Sequence, residues 1–217
     1  MQVKKLAIFD LDGTLIDSVV DILDCINLML EKFGFAKRNL EEVKQMIGNG
    51  AKNLVIKAIG QEISSEKLAQ CLDYYNQIYT SSGSPKTKLF DGIGQLLKQL
   101  KERGYLLGIV TNKPQITTDE IKKTYLKDYD IDMIIGQQAG LKIKPDPQSV
   151  NLMIEKLAVD RENVYFIGDG ETDVQVAINA NVKGVSVLWG YRNRSQLEKV
   201  GSKTFVSKPQ DLLKILL

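Results

Sequence analysis

Five short apolar runs, each ending on or just before a polar or glycine residue, punctuate this chain: "KKLAIF" (4–9), "YLLGIVT" (105–111), "DMIIG" (132–136), "NVYFIGD" (163–169) and "GVSVLWG" (184–190). Runs of this length with abrupt ends predict buried strands. From Asp17 onward the period changes, with Val19, Ile22, Leu23, Ile26, Met29, Leu30 and Phe33 falling at three- and four-residue steps and Gly34 as the stop. That spacing predicts an amphipathic helix. "NLEEVKQMIG" and "NGAKNLVIKAIG" predict two shorter helices around a Gly48-Asn49-Gly50 turn. Ser64 and Ser65 then offer N-caps to a stripe of Leu68, Cys71, Leu72, Tyr75 and Ile78. The stretch from about 17 to about 82 is thus expected to be helical without a strand, closed by the loop "TSSGSP" (80–85).

Beyond that loop the pattern alternates. Helices are expected over 93–104, 114–126, 147–159 and 171–180, between the strands named above, with two short elements near 194–200 and 209–216. Alternation of strand and helix predicts right-handed βαβ units and a mainly parallel sheet covered on both faces. The fold class expected is therefore α/β, a Rossmann-like core (1–16 and 84–217) carrying an inserted α-helical cap (17–83).

Composition narrows the function. The 217 residues are 43% hydrophobic and 26% charged, in the range of an ordinary soluble domain. With 29 basic against 27 acidic residues, formal charge is +2, so there is no electrostatic footprint for nucleic acid or an anionic membrane surface. No apolar run is long enough to span a bilayer, no signal peptide is expected, and Cys25 and Cys71 lack metal or redox spacing. A cytoplasmic protein with reduced thiols, monomer or homodimer, acting on a small molecule is the resulting expectation. The chain contains no histidine, which removes Ser-His-Asp and Cys-His hydrolysis, histidine-ligated zinc and histidine acid–base catalysis. Proton transfer must run on carboxylates, lysines or tyrosines.

Ligands of an open parallel sheet bind beyond the carboxyl ends of the strands. Those ends carry Asp10, Asp12, Gly13 and Thr14; Thr111, Asn112 and Lys113; Lys142 and Lys144; and Asp169, Glu171 and Asp173. Two carboxylates from one strand end and one from another form a hard oxygen environment suited to Mg²⁺. A carboxylate nucleophile, a hydroxyl and an ammonium beside it fit phosphoryl transfer.

"DLDGTLIDS", "TNKP", "IKPDP" and "GDGETD", in this order, resemble the four motifs of the haloacid dehalogenase superfamily, and the helical insert resembles that family's C1 cap. The resemblance implies a Mg²⁺-dependent phosphatase working through an aspartyl-phosphate. Asp10 would be the nucleophile and Asp12 the general acid and later base. Thr111 and Asn112 would bind the phosphoryl group, with Lys144 neutralising it. Asp169 would hold the metal together with the Asp10 side chain and the Asp12 carbonyl, and Asp173 would orient that shell. Asp12 separates the chain from dehalogenases, which lack an acid there, and the missing histidine separates it from sugar-phosphate mutases. "IGNGAKNLV" and "WGYRNRSQLEKVGSKTFVSKPQDLL" are most similar to phosphoglycolate phosphatases; pyrophosphate, nucleotides or sugar phosphates remain as other substrates. A non-enzymatic phosphate-binding or acceptor module is the alternative from another class. Gly170 and Asn181 depart from the pattern, with Asn181 expected to keep the left-handed turn that ends a helix. Lys52 in the cap is a candidate for reading the substrate, and Lys142 competes with Lys144. Trp189 and the tyrosines are expected to pack.

Overall fold

The computed structural model describes residues 3–216. Strand β1 (Lys5–Phe9) leads through a tight loop into a two-residue strand β2 (Ile16–Asp17). Four helices follow: α1 (Val19–Lys32), α2 (Leu40–Met46), α3 (Gly50–Ile59) and α4 (Ser65–Ser82). The chain returns through β3 (Lys88–Leu89) and then alternates: α5 (Ile93–Glu102), β4 (Tyr105–Pro114), α6 (Gln115–Tyr125), β5 (Met133–Gln137), α7 (Gln148–Leu157), β6 (Val164–Gly168), α8 (Glu171–Asn179) and β7 (Lys183–Val187). It closes with α9 (Arg194–Lys199), β8 (Phe205–Val206) and α10 (Leu212–Leu216).

Among the described residues six strands form one parallel sheet in the order β5-β4-β1-β6-β7-β8. This is the expected α/β Rossmann-like sheet, with two differences. The short β8 at one edge and the antiparallel β2–β3 ribbon carry too few residues to show a period, and were not expected. The last long strand is also shorter than "GVSVLWG", ending at Val187.

Alternation along β1 sends Ala7 and Phe9 into one apolar layer and Leu6 and Ile8 into the other, so this strand joins both cores. The helices α1–α4 enclose a third cluster around Ile26, Met29, Leu30 and Val55. Local chemistry explains their ends. Asn39 and Glu42 form a reciprocal capping box on α2, Ser64 accepts from the Lys67 amide, and Gly60 and Gly83 supply left-handed C-caps. Asn181 adopts the expected left-handed conformation, φ +52°. Both chain crossings between sheet and helices run side by side in the β2–β3 ribbon, which sits beside the carboxyl end of β1. No helix among the described residues is long and apolar enough to cross a membrane.

Candidate active site

The site begins where β1 runs out. The Asp10 amide still donates to Ile167 of β6, at 2.9 Å, so this residue is held by the sheet while its side chain leaves it. The chain then folds back on itself, with the amides of Thr14, Leu15 and Ile16 all donating to the Leu11 carbonyl. Gly13, at φ +87°, makes the turn; a Cβ there would overlap the Asp169 carboxylate.

Asp10, Asp169 and Asp173 are buried, and one carboxylate oxygen of each lies within 4.8 Å of the others. Lys144 Nζ stands 2.7 Å from Asp10 Oδ1 and 2.7 Å from Asp173 Oδ1. The Thr14 hydroxyl and the Tyr191 amide each donate to Asp169 at 2.8 Å, and the Gly170 amide donates to Asp173 at 2.9 Å. Three acids against one ammonium leave negative charge uncompensated. Burial, assisted by repulsion from Asp173, accordingly pushes Asp10 up to about 7, against the opposing pull of Lys144. Burial, then Asp173 and Asp10, push Asp169 up to about 8. Burial disfavours the Lys144 ammonium, but Asp10 and Asp173 outweigh it and hold the proton more firmly than usual.

Asp10 Oδ1 is the observation that tests for a metal. It lies at ion-pair distance from Lys144 yet off the hydrogen-bonding direction, so this buried oxygen has no directed donor. An under-satisfied carboxylate oxygen among hard donors fits a divalent oxygen-seeking cation. Soft ligands are absent from this cluster, since both cysteines are buried elsewhere, where burial pushes Cys25 up to about 11.

Thr111, Asn112 and Lys113 sit on an irregularity of β4. Between Val110 and Pro114 the register against β5 shifts, so that four residues of β4 span only the step from Ile135 to Gln137. Such an irregularity re-aims side chains. Thr111 lines a cavity of about 60 Å³ with Asp10 and Asp12, its Oγ1 accepting from the Lys113 amide at 3.2 Å. Asn112 lines the same cavity. Its amide nitrogen donates to the Gly48 and Lys144 carbonyls, at 2.9 and 3.0 Å, and its oxygen accepts from the Lys144 amide. With both side-chain amide hydrogens taken, this side chain positions the Lys144 loop.

The remaining expected residues separate clearly. Lys144 is buried in the acid cluster, whereas Lys142 is exposed and pairs with Asp146 at 3.4 Å. Lys52 is exposed and does not line the cavity, because α3 turns its Leu54 and Val55 inward instead. Asp12 turns its carboxylate away from the acid cluster, accepting from Ser18 Oγ at 2.5 Å and from Lys113 Nζ at 3.0 and 3.1 Å. Lys113 also donates to the Tyr79 hydroxyl at 2.8 Å. Glu171, at the start of α8, receives Arg192 Nε at 2.8 Å, while the same guanidinium donates to the carbonyls of Lys44, Gln45 and Ile47. Trp189 and the tyrosines do more than pack. Trp189 donates to the Thr14 carbonyl, and the Tyr191 hydroxyl accepts from the Ser18 amide. Lys113 stood among the strand-end residues and inside "TNKP", whereas nothing in the sequence placed Tyr79 or Arg192 beside them.

A model of the haloacid dehalogenase-like hydrolases matches residues 7–187, which takes in every strand-end acid just described. The chain belongs to that family. A phosphoglycolate phosphatase from Psychrobacter arcticus is 33% identical over 87% of this chain and 85% of its own. Phosphoglycolate phosphatase 1 of Pseudomonas aeruginosa is 30% identical over 98% of this chain and 79% of its own. The crystal structure of a candidate phosphoglycolate phosphatase from Lactobacillus delbrueckii subsp. bulgaricus superposes with a TM-score of 0.91 at 26% identity, covering 100% of this chain and 99% of that one. As a haloacid dehalogenase-like hydrolase, the chain keeps its acids at the carboxyl edge of the sheet, where β1 and β6 end side by side.

Proposed function

We propose that this hydrolase is a Mg²⁺-dependent phosphatase of small phosphomonoesters, working through an aspartyl-phosphate on Asp10, with phosphoglycolate as its leading substrate. The observation that carries this reading is Asp10 itself: a buried carboxylate on the cavity wall whose Oδ1 has Lys144 at 2.7 Å but no directed donor. Such an oxygen keeps its lone pairs for a cation and for phosphorus.

Asp10 attacks the phosphoryl group, while the Thr111 hydroxyl and the Lys144 ammonium hold its oxygens. Asp12, two residues on and turned to the other side of the cavity, gives a proton to the departing oxygen and then takes one from the water that releases phosphate. Asp10, Asp169 and the Asp12 carbonyl would hold the magnesium ion, which when bound supplies charge neutralisation on the phosphoryl oxygens. Asp173 holds Lys144 in place and is itself fixed by the Gly170 amide.

The proposed division is a core of 1–16 and 84–217 with a cap of 17–83, crossed at the β2–β3 ribbon. The cap closes the cavity with Ile22, Ile47, Leu54, Tyr75 and Tyr79. A small leaving group is in line with the relatives named phosphoglycolate phosphatase.

The test is turnover of p-nitrophenyl phosphate and phosphoglycolate with magnesium. Multiple turnovers are expected from the unaltered protein, none from Asp10→Asn, and kcat reduced ~10²–10⁴-fold in Asp12→Asn. Phosphorylation that stops at one group per chain would overturn hydrolysis in favour of an acceptor module.

A further inference from the structure

The acids and Lys144 account for the phosphoryl half of the substrate, but not for Lys113. This side chain is 6% exposed and lines the cavity on the side of Asp12 and the cap. Its ammonium carries three hydrogens. Asp12 receives donation at both oxygens, and the neutral Tyr79 hydroxyl accepts the remaining bond, with the Tyr79 ring centroid 4.4 Å away. Among the described residues that line the cavity, Lys113 is the one cation, facing the two acids Asp10 and Asp12.

That charge pattern bears on the leaving group. A carboxylate entering this cavity meets two acids and a largely apolar cap wall, so it is repelled unless a cation receives it. Lys144 does not line this cavity and, in the reading above, serves the phosphoryl oxygens beside Asp10. Lys113 keeps one hydrogen on a neutral partner, and exchanging the Tyr79 hydroxyl for a substrate carboxylate replaces a bond with one charged partner by a bond in which both partners are charged. Resting on the phosphatase reading above, we infer that Lys113 selects phosphomonoesters whose leaving group carries its own carboxylate, by pairing with that carboxylate against the Tyr79 side of the cavity. Position helps the pairing. The ammonium is at 3.0 Å from the Asp12 carboxylate that serves the leaving oxygen, a spacing suited to a carboxylate one carbon away from that oxygen.

The experiment compares phosphoglycolate with ethyl phosphate, which have the same chain length and differ in the carboxylate. kcat/KM is measured for both in the unaltered protein, in Lys113→Met and in Lys113→Arg, with magnesium. The unaltered protein is expected to prefer phosphoglycolate. Lys113→Met should lose ~100-fold on phosphoglycolate, mainly through KM, and no more than ~10-fold on ethyl phosphate, whereas Lys113→Arg keeps the preference. Should Lys113→Met be unfolded by circular dichroism, Lys113→Gln, which retains a donor for Tyr79, takes its place with the same expected loss. Equal losses on the two substrates would overturn the inference and leave Lys113 as a support for Asp12, with the phosphatase reading intact. An unaltered protein that hydrolyses both esters equally well overturns it too. One that hydrolyses neither removes the phosphatase reading and the inference with it.

Discussion

Gly190 shows how little room surrounds the acids. It lies just past the end of β7, and a Cβ added there would overlap both the Asp169 side chain and the Gly13 carbonyl. Gly190→Ala should therefore push Asp169 out of line without touching any residue that reacts. Displacing a group that orients a ligand costs metal affinity by ~10–100-fold. The magnesium concentration giving half-maximal activity should rise by that factor, while turnover at saturating magnesium falls less; an unchanged magnesium requirement would show that the loop yields. Glycine at this place was visible in "WGYRNR", but nothing in the sequence said what stood over it. The same holds for Asn112. Its place beside Thr111 made it a phosphate ligand by resemblance, whereas its two amide hydrogens are spent on carbonyls 64 and 32 residues away. Neighbours along the chain suggest a role; partners through space decide it.

Arg192 acts at the scale of elements. It sits between β7 and α9 and is itself held by Glu171 at the start of α8. From there it reaches the carbonyls of Lys44, Gln45 and Ile47 at the C-terminal end of α2, groups that a helix leaves unsatisfied. The Gly48 carbonyl next to them accepts from Asn112 and Thr172, so the Gly48-Asn49-Gly50 turn is held over the site from several elements. Arg192→Ala should lower stability in urea by about 2 kcal/mol, the scale of hydrogen bonds to a charged group. It should also raise KM for phosphoglycolate more than it lowers kcat, since the turn that closes the cavity loses its tether. If KM stays put, apolar packing alone holds the helices to the sheet. Helix periodicity located α2 and the glycines marked the turn, because both are local signals. The arginine that joins them comes from 148 residues further along, and no window of sequence contains both.

For the whole molecule the acid cluster should link stability to pH and, on the function proposed above, to magnesium. Asp10 rises to about 7 and Asp169 to about 8, from 3.8 in the unfolded chain. The folded, metal-free protein therefore binds more protons than the unfolded one between about pH 4 and about pH 8, and stability must fall as pH rises through that window. Thermal melting of metal-stripped protein should show Tm dropping across it. Magnesium should restore the loss at the upper end by binding the folded form alone. Asp169→Asn should flatten both responses; a pH-independent Tm in the unaltered metal-free protein would contradict the picture. The sequence by itself determined the alternation of strands and helices, the helical insert, the strand-end acids and the exclusion of histidine chemistry. These are properties of period, composition and motif order, which are written along the chain. Tertiary structure alone decided that Lys142 pairs outside the cluster, that Lys52 stays in solvent, and which partners Lys113, Tyr79 and Arg192 take. Those outcomes depend on which residues the packed sheet and helices bring within 3 Å across separations of 21 to 148 residues, and such contacts exist only once the chain has folded.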